Sequence, residues 1–294
     1  MITAFGEILF DVYPDQARLG GAPFNFIYHV HRLTGKGSFI SRIGNDEYGN
    51  EITKFLKSDS MGMSFVQIDD THPTGTAIVR LDEGGIPTFT ITEDVAYDHI
   101  IGDEKVNNAI GGSDLLYFGT LAQRSPVSRA TLYQYCSAAP RCFVDVNLRQ
   151  RYYSKEIVHQ SFEYADFVKL NAEELETIHS MFFTGTFERN RAVRLLMRKY
   201  SFSYLALTLG SDGSWMFSAD EEYYHKTDAP RVVDTVGAGD GFAAMMCVGI
   251  QNGWTIDRIN TTASEFSASL CEIEGALPNH DSFYDAYREV LNNG

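Results

Sequence analysis

The sequence predicts an α/β protein, with a doubly wound, mostly parallel β-sheet sandwiched by helices and a small β appendage beside it. Three observations favour this fold class. Short apolar runs alternate with longer helical patterns along the 294 residues, several of these runs contain almost no polar residue, and one segment interrupts the alternation. Because a chain of this length can bury one large core, we expect a single domain over residues 1–294 with the appendage inserted in it.

The predicted strands are short, and most are apolar enough to be covered by helices on both faces. They cover Ile2–Phe10, Ser38–Ile43, Asp114–Phe118, Cys142–Val146, Phe167–Leu170, Tyr204–Leu209 and Val232–Asp234. The helical patterns between them cover Pro23–Leu33, Tyr48–Leu56, Val127–Ala138, Ala172–His179, Arg189–Lys199 and Phe242–Gln251. After Gly253 the pattern stays helical to the end, with Thr255 placed to cap the first helix there.

Two segments do not fit the alternation of strands and helices. Residues 76–92 have the pattern of two strands, Thr76–Leu81 and Ile86–Thr92, around a turn-rich run at residues 82–85. Residues 12–19 lack a helical pattern. Together they predict a small β lid over the carboxyl edge of the main sheet.

Charge and composition exclude several classes of function. Lys and Arg number 24 and Asp and Glu 39, which gives a net charge of −15. Such an excess repels phosphates, so we expect no nucleic-acid partner and no docking on an anionic membrane. No apolar run approaches the roughly 20 residues that span a bilayer, and Glu7 and Asp11 interrupt the start of the chain. A cytoplasmic protein with reduced cysteines is expected.

The strongest chemical signal is the run VVDTVGAGDGF at residues 232–242. The small residues Gly237, Ala238 and Gly239 let a ligand approach their backbone, and their N–H groups fall at a helix start, where donors are free. Asp240 places a carboxylate beside these donors. The combination suits transfer of a phosphoryl or acyl group onto a hydroxyl. The alternative is that Asp240 caps the helix and the glycines form a tight turn.

A second glycine motif, GGAPFN at residues 20–25, precedes a predicted helix. Gly21 belongs to its turn, and Asn25 offers both a donor and an acceptor from the first helical turn. Asp11, just past the first strand, offers an acceptor for paired hydroxyls. The alternative assigns these residues to a turn, an ordinary helix start and the surface.

Two polar runs follow later strands. Arg149, in DVNLR at residues 145–149, is suited to binding a phosphoryl or substrate oxygen; the alternative is an ordinary surface arginine. Asn171 and Glu174, in NAEE at residues 171–174, form a capping box by their spacing.

A glycine-containing loop follows another predicted strand, with the sequence TLGSDG at residues 208–213. Thr208 offers a hydroxyl, and Gly210 and Gly213 let a nucleotide lie against the backbone. The alternative is a plain hairpin into Trp215–Phe217.

These motifs, in this order, resemble the ribokinase (PfkB-type) family of carbohydrate kinases. Residues 234–240 resemble its D-T-x-G-A-G-D signature, and residues 20–49 its first signature in the form most similar to fructokinases. The resemblance implies a ribokinase-like fold. It also implies the following roles: Asp240 as base and Gly237, Ala238 and Gly239 as anion donors; Asp11, Gly21, Asn25 and Arg149 at the sugar; Asn171, Thr208, Gly210 and Gly213 at the nucleotide; Glu174 at Mg²⁺ through water.

The resemblance implies an ATP-dependent kinase that acts on a primary hydroxyl of a monosaccharide. Fructose is favoured as the substrate, and 2-keto-3-deoxygluconate and ribose are the alternatives. Relatives also imply K⁺ near the backbone of residues 234–236 and a homodimer formed through the lid. A catalytically silent, sugar-binding regulator is opposed by the intact Asp240 and its glycines. An NAD-dependent oxidoreductase is opposed by the missing Gly-x-Gly-x-x-Gly motif.

Overall fold

The computed structural model describes residues 1–81, 87–227 and 231–292. The turn predicted at residues 82–85 therefore lies outside the described residues. The described strands are β1 Ile2–Phe5, β2 Leu9–Val12, β3 Ala17–Gly20, β4 Ser38–Gly44, β5 Val66–Asp69, β6 Gly75–Leu81, β7 Pro87–Ile91, β8 Leu115–Phe118, β9 Cys142–Asp145, β10 Phe167–Asn171, β11 Tyr204–Thr208, β12 Ser214–Phe217 and β13 Glu222–His225. The described α-helices are α1 Ala22–Thr34, α2 Glu47–Ser58, α3 Glu104–Gly111, α4 Pro126–Ala138, α5 Lys155–Tyr164, α6 Ala172–Phe182, α7 Arg189–Tyr200, α8 Ala238–Gln251, α9 Ile256–Leu270 and α10 Asp285–Asn292.

The larger of two sheets has the strand order β13-β12-β11-β10-β9-β8-β1-β4-β5. Its strands from β11 to β5 run parallel, while β12 and β13 add an antiparallel edge. β1 lies between β4 and β8, so the strand order changes direction there. In a doubly wound sheet, ligands bind beyond the carboxyl ends of the strands near such a reversal. The predicted fold class is confirmed.

Helices cover both faces of this sheet and form two apolar cores. One core contains side chains of α1, α2, α8 and α9, and the other contains side chains of α3 to α7. The strands that they cover are almost entirely buried, which explains their lack of polar alternation. Within the described ranges, no helix has both the length and the apolar character that crossing a bilayer requires.

The second sheet has four strands in the order β3-β2-β6-β7. β2 pairs parallel to β6, and the other two pairings are antiparallel. The two strands predicted in residues 76–92 correspond to β6 and β7, and the non-helical segment 12–19 leads into β3. That this sheet closes as a lid remains a prediction.

The single strand predicted at Ile2–Phe10 is wrong, because the chain changes sheets inside it. β1 ends at Phe5 in the centre of the large sheet, and β2 begins at Leu9 in the second sheet. Gly6 lies between them with a φ of 145°, a value that a glycine adopts easily. The apolar pattern continues through the break because both strands are buried, so periodicity alone does not reveal it.

The strand predicted at Val232–Asp234 is also wrong. This segment belongs to neither sheet, and Val232 and Val233 are more than half exposed. The backbone N–H groups of Val233 and Asp234 donate to the carbonyl of Cys271 at 2.7 and 3.2 Å, so the segment is attached to the chain after α9 and not to a strand. Two β-branched residues have strand propensity, but without a neighbouring strand they form none.

Candidate active site

A cleft of about 640 Å³ opens at the carboxyl ends of the parallel strands, between the two sheets. Ten of the thirteen site residues predicted from the sequence line it, namely Asp11, Gly21, Asn25, Arg149, Asn171, Glu174, Thr208, Gly237, Gly239 and Asp240. We call one part of the lining the floor, formed by Lys169, Asn171, Thr208, Gly237, Gly239 and Asp240. We call another part the roof, formed by Leu9, Asp11, Ala77 and Ile91 of the second sheet.

Asp240 and Asn25 meet in this cleft, although 215 positions separate them in the sequence. Nδ2 of Asn25 donates a hydrogen bond of 2.8 Å to Oδ2 of Asp240, and both side chains are buried. Oδ1 of Asn25 has no hydrogen-bond partner among the described residues, so it can still accept a bond from a ligand. The two strongest sequence motifs thus form one site.

Burial, and to a smaller extent the charge of Asp145, raise the pKa of Asp240 to about 6, although the hydrogen bond from Asn25 opposes the shift. A carboxylate accepts a proton in a transition state most effectively when its pKa is close to the working pH. Asp240 is therefore a stronger base than an exposed aspartate and is still ionised at neutral pH.

The turn before α8 presents free backbone donors. Gly237 has a φ of 80°, and a Cβ there would lie 2.4 Å from Cβ of Ala276, so a side chain does not fit. The N–H of Ala238 donates to the carbonyl of Thr235 over 3.3 Å. Among the described residues, the N–H groups of Gly237 and Gly239 have no acceptor, as expected where a helix begins. With the helix dipole they form a binding position for an anion.

Lys169 on β10 places a buried ammonium group beside this helix start. Nζ donates to both carboxylate oxygens of Asp145, at 3.1 and 3.2 Å. A Cβ built on Gly239 would lie only 2.9 Å from Nζ, so the ammonium group occupies the space beside the Gly239 backbone. Burial lowers the pKa of Lys169, but the charges of Asp145, Glu174 and Asp240 outweigh burial and raise it, so the group stays charged.

The sequence analysis did not identify Lys169. The available signal was a lysine in the middle of the apolar strand FVKLN, where both faces of the sheet are covered. A charged residue in such a strand is expensive to bury unless it is paired, which makes it a candidate for function.

Asp11 and Gly21 lie at the other end of the cleft, next to the second sheet. Burial raises the pKa of Asp11 to about 6, although the charges of Arg149 and Arg18 oppose the shift. Gly21 caps α1 with a φ of 111°, and a Cβ there would lie 2.6 Å from the carbonyl oxygen of Glu7. The glycine therefore lets the start of α1 pack closely against the chain that crosses between the sheets.

Glu7 is a second cleft residue that the sequence analysis missed as a functional candidate. It is 3% exposed, and its Oε2 has no hydrogen-bond partner among the described residues. Burial raises its pKa to about 7. Its signal was a carboxylate inside the apolar run AFGEILF. Arg149 lines the cleft nearby, is exposed, and lowers the pKa of Glu7 by its charge.

Asn171 and Glu174 form the capping box that their spacing predicts. Oδ1 of Asn171 accepts from the N–H of Glu174 at 2.9 Å, and the Glu174 carboxylate accepts from the N–H of Asn171 at 2.8 Å and from that of Leu148 at 2.9 Å. Glu174 also lines the cleft. Since a carboxylate has about four lone-pair positions, two remain after these bonds. The capping role therefore leaves room for a ligand role.

Thr208 lines the cleft at the end of β11, but Gly210, Gly213 and Ala238 do not. Gly210 and Gly213 have positive φ values, in a short 3₁₀ turn and just after it. A Cβ on Gly213 would lie 2.1 Å from the carbonyl oxygen of His225, so this glycine has a packing reason. The hairpin alternative considered for this loop is present, because β11 pairs antiparallel with β12 across it.

Comparison with known proteins identifies relatives along nearly the whole chain. The sequence profile of the pfkB family of carbohydrate kinases matches residues 6–281. A fructokinase of Salmonella typhimurium is 28% identical over 94% of this chain and 92% of its own. A sugar kinase of Pyrococcus horikoshii, solved in complex with ATP, superposes with a TM-score of 0.81 at 24% identity over 94% of both chains.

A fructokinase variant of Vibrio cholerae O395, solved with fructose, ADP and potassium ion, superposes with a TM-score of 0.76 at 22% identity over 96% of both chains. Both structural likenesses show the same fold: a large, mostly parallel sheet flanked by helices.

Proposed function

The chain belongs to the pfkB family of carbohydrate kinases, and we propose that within this family it transfers the γ-phosphoryl group of ATP to a primary hydroxyl of fructose. The hydrogen bond between Asn25 and Asp240 carries the proposal. It joins the motif assigned to the sugar with the residue assigned as the base, next to the free N–H groups of Gly237 and Gly239. A residue suited to bind the sugar, a residue suited to accept its proton and a binding position for an anion therefore share one cleft.

The sugar lies between Asn25 and the roof. Asp11 accepts hydrogen bonds from paired hydroxyls, and Oδ1 of Asn25, which has no partner among the described residues, accepts another. Gly21 lines the cleft without a side chain, so it takes up no space beside Asp11 and Asn25. Buried acceptors left without a partner are costly, so a sugar that bonds to them is favoured over one that lacks the hydroxyls.

Phosphoryl transfer follows from the position of Asp240. As the sugar oxygen bonds to the γ-phosphorus, its proton passes to the Asp240 carboxylate, the bond between the γ-phosphorus and the bridging oxygen breaks, and ADP leaves. The N–H groups of Gly237 and Gly239 stabilise the negative charge on the transferred group. Positioning and charge stabilisation supply most of the rate in such a reaction.

Lys169 complements these N–H groups with a full positive charge. Its Nζ occupies the space beside the Gly239 backbone, so a phosphoryl oxygen bound at the helix start also lies near the ammonium group. Asp145 fixes the orientation of the side chain through two hydrogen bonds. The charge is held by a buried pair and therefore needs no reorganisation during the reaction.

The donor set near Glu174 fits a hard divalent cation. Glu173 and Glu174 both line the cleft, and oxygen ligands are those that Mg²⁺ prefers. Glu174 would hold Mg²⁺ through water, and the cation would supply charge neutralisation of the phosphate oxygens. A requirement for K⁺ is proposed by analogy with the potassium ion in the Vibrio cholerae fructokinase structure.

The second sheet acts as a lid on this cleft in our proposal. Ala77 of β6 and Ile91 of β7 line the roof, so closure would bring apolar side chains over the sugar and exclude water. Exclusion of water limits wasteful hydrolysis of ATP. A homodimer formed through this sheet stays a prediction. Sedimentation velocity, which measures the oligomeric state, tests it.

Fructose is proposed from the GGAPFN and DVNLR forms and from the fructokinases among the relatives. The alternative, 2-keto-3-deoxygluconate, is favoured by one observation: Arg149 lies at the cleft as an exposed guanidinium that can pair with a sugar carboxylate.

An assay of ADP release over a panel of sugars, with and without K⁺, tests both substrates. The expected result is the highest kcat/KM with fructose. If 2-keto-3-deoxygluconate has the highest kcat/KM, and if Arg149→Met raises the KM for this sugar but not the KM for fructose, the assignment of fructose is wrong. Silence across the panel, in protein shown to be folded, contradicts the proposed function.

A further inference from the structure

A cluster of two histidines and one aspartate lies outside the cleft, at the base of the second sheet. His72 precedes β6, while Asp94 and His99 follow β7, with His99 ending a short 3₁₀ helix at Ala96–His99. One side-chain nitrogen from each histidine and one carboxylate oxygen of Asp94 lie within 4.8 Å of one another. The kinase site described above uses none of these residues.

The ligand atoms converge on a single oxygen. Oδ1 of Asp94 lies 2.8 Å from Nε2 of His99 and 3.8 Å from Nε2 of His72. The two imidazoles are stacked, with ring centroids 3.6 Å apart and planes 14° from parallel. Asp94 has a φ of 55°, a left-handed conformation that aspartate tolerates better than most residues. Its side chain is 79% exposed, which leaves the cluster open to ions from solvent.

The ring nitrogen of His72 that faces away from the cluster contacts a carboxylate, an arrangement that is common for histidines that bind metals. Nδ1 of His72 lies 2.9 Å from Oδ2 of Asp69, a buried carboxylate. Oδ1 of Asp69 accepts from the N–H groups of Thr71 and His72 at 2.8 and 3.0 Å, and Oδ2 pairs with Arg42 at 2.8 Å. With these donors around the carboxylate, Nδ1 of His72 is placed to donate to Oδ2. The lone pair of Nε2 therefore faces Asp94 and His99.

Arg42 on β4 supports both halves of the cluster. Its guanidinium forms an ion pair with Asp69 at 2.8 Å and donates to the backbone carbonyl of His99 at 2.9 Å. The segment before β6 and the segment after β7 are thereby attached to the same buried strand, which keeps the ligands near each other.

We propose that His72, Asp94 and His99 bind a divalent transition-metal ion of the Zn²⁺ class. Two imidazoles and a carboxylate are ligands typical of zinc, whereas the Mg²⁺ used with ATP prefers oxygen alone. Binding requires that Nε2 of His99 be deprotonated and that one ring tilt out of the stack, so that both lone pairs point at one ion. Water completes the coordination. The ion thereby links the segment before β6, which contains His72, to the segment after β7, which contains Asp94 and His99.

Titration of the chelator-treated full-length protein with Zn²⁺, in competition with a chromophoric chelator, measures the site directly. The expected result is about one equivalent of Zn²⁺ per chain. Asp94→Asn and His99→Gln should each weaken the affinity at least tenfold, and Asp69→Asn should weaken it roughly 10–100-fold, the range for lost outer-shell partners. His159→Gln is the matched control, because His159 lies 3.8 Å from Glu163 on an exposed helix face and belongs to no such cluster within the described part of the chain.

Two further measurements test the site and its effect on the fold. Zn²⁺ should raise the Tm of the wild type and of His159→Gln but not of Asp94→Asn, and it should slow hydrogen exchange of the β6 and β7 amides. Absence of Zn²⁺ binding, or equal affinity in the wild type and in Asp94→Asn, overturns the site. Unchanged exchange in the zinc-loaded wild type overturns the link to β6 and β7. Kinase activity with Mg²⁺ and ATP, which uses other residues, should persist in Asp94→Asn without Zn²⁺.

Discussion

The floor and the roof of the cleft are built from different kinds of sheet. The floor combines the ends of parallel strands that are buried on both faces with the start of α8. Its two charged side chains, Lys169 and Asp240, lie near the buried carboxylate of Asp145. The roof belongs to a four-stranded sheet whose strands β2 and β3 are partly exposed. Under the proposed function, the groups that act on the phosphoryl group lie on the floor, and Asp11, which would bind the sugar, lies on the roof. We expect a partly exposed sheet to adjust at a lower free-energy cost than strands buried on both faces.

Asp240→Asn should have the largest effect, because it removes the proton acceptor from the floor. We expect turnover to fall by about 10²-fold or more, within the range of lost general-base catalysis, with little change in sugar affinity. Asp257→Asn, which alters an exposed aspartate in the first turn of α9, is the matched control. Near-normal turnover of Asp240→Asn would reject Asp240 as the base.

Lys169→Met tests whether the floor uses a buried charge as well as backbone donors. We expect kcat to fall by roughly 10²-fold, as for loss of one donor to a developing anion. Lys169 also lowers the pKa of Asp240, so the acidic limb of the pH–rate profile should move to higher pH. Lys105→Met, at an exposed position of α3, is the control. A lower Tm with an unchanged kcat and pH profile would assign Lys169 to stability alone.

Glu7→Gln tests, through the free energy of unfolding, the buried carboxyl group in the crossing between the two sheets. Burial raises the pKa of Glu7 from 4.5 to about 7, so the folded state binds its proton more tightly than the unfolded state. The stabilisation from this proton is complete below pH 4.5 and is lost as the pH rises through 7. Removing the charge should therefore raise the free energy of unfolding by up to about 3 kcal/mol at pH 8, and by much less at pH 5. Denaturant unfolding at both pH values measures this, and an equal change at the two would contradict the assignment.

Asn25→Ala should have the smallest effect, and this effect should be on the binding of the sugar. Loss of one hydrogen-bonding group is expected to raise the sugar KM about tenfold, with the ATP KM nearly unchanged. Asn50→Ala, on the exposed face of α2, serves as the control. A change in the ATP KM alone would place Asn25 outside the sugar site and would remove the distinction drawn between the two ends of the cleft.

Much of the large sheet was predictable, because apolar strands between helical patterns have few other solutions. β5, α3, α5 and the β12–β13 hairpin were not assigned as elements, since Val66–Asp69 is short and partly polar and the pattern at Lys155–Tyr164 is diluted by polar residues. The change of sheets at Gly6 was missed because both flanking strands are buried. The exposed Val232–Asp234 segment was misassigned because strand propensity does not reveal whether a pairing partner exists.

The candidate site was predictable where several functional residues occur close together in the sequence. Asp240 with its glycines, and Asn25 with Gly21, stand in short runs whose residue types are unusual together. Lys169 and Glu7 were missed because each is one polar residue in an apolar run of sequence, and only the folded chain shows that both line the cleft. In the histidine cluster, Asp94 and His99 follow His72 by 22 and 27 positions, so no local pattern indicates the cluster.

The short crossing at Gly6 limits how the second sheet can move. Only residues 6–8 join β1, in the centre of the large sheet, to β2, and three residues span at most about 11 Å. A Cβ on Gly6 would lie 2.6 Å from Cγ of Pro23, so this tether is also wedged against α1. For the lid closure proposed above, we therefore expect a rotation about an axis near β2, in which Asp11 moves less than β7 at the edge of the sheet.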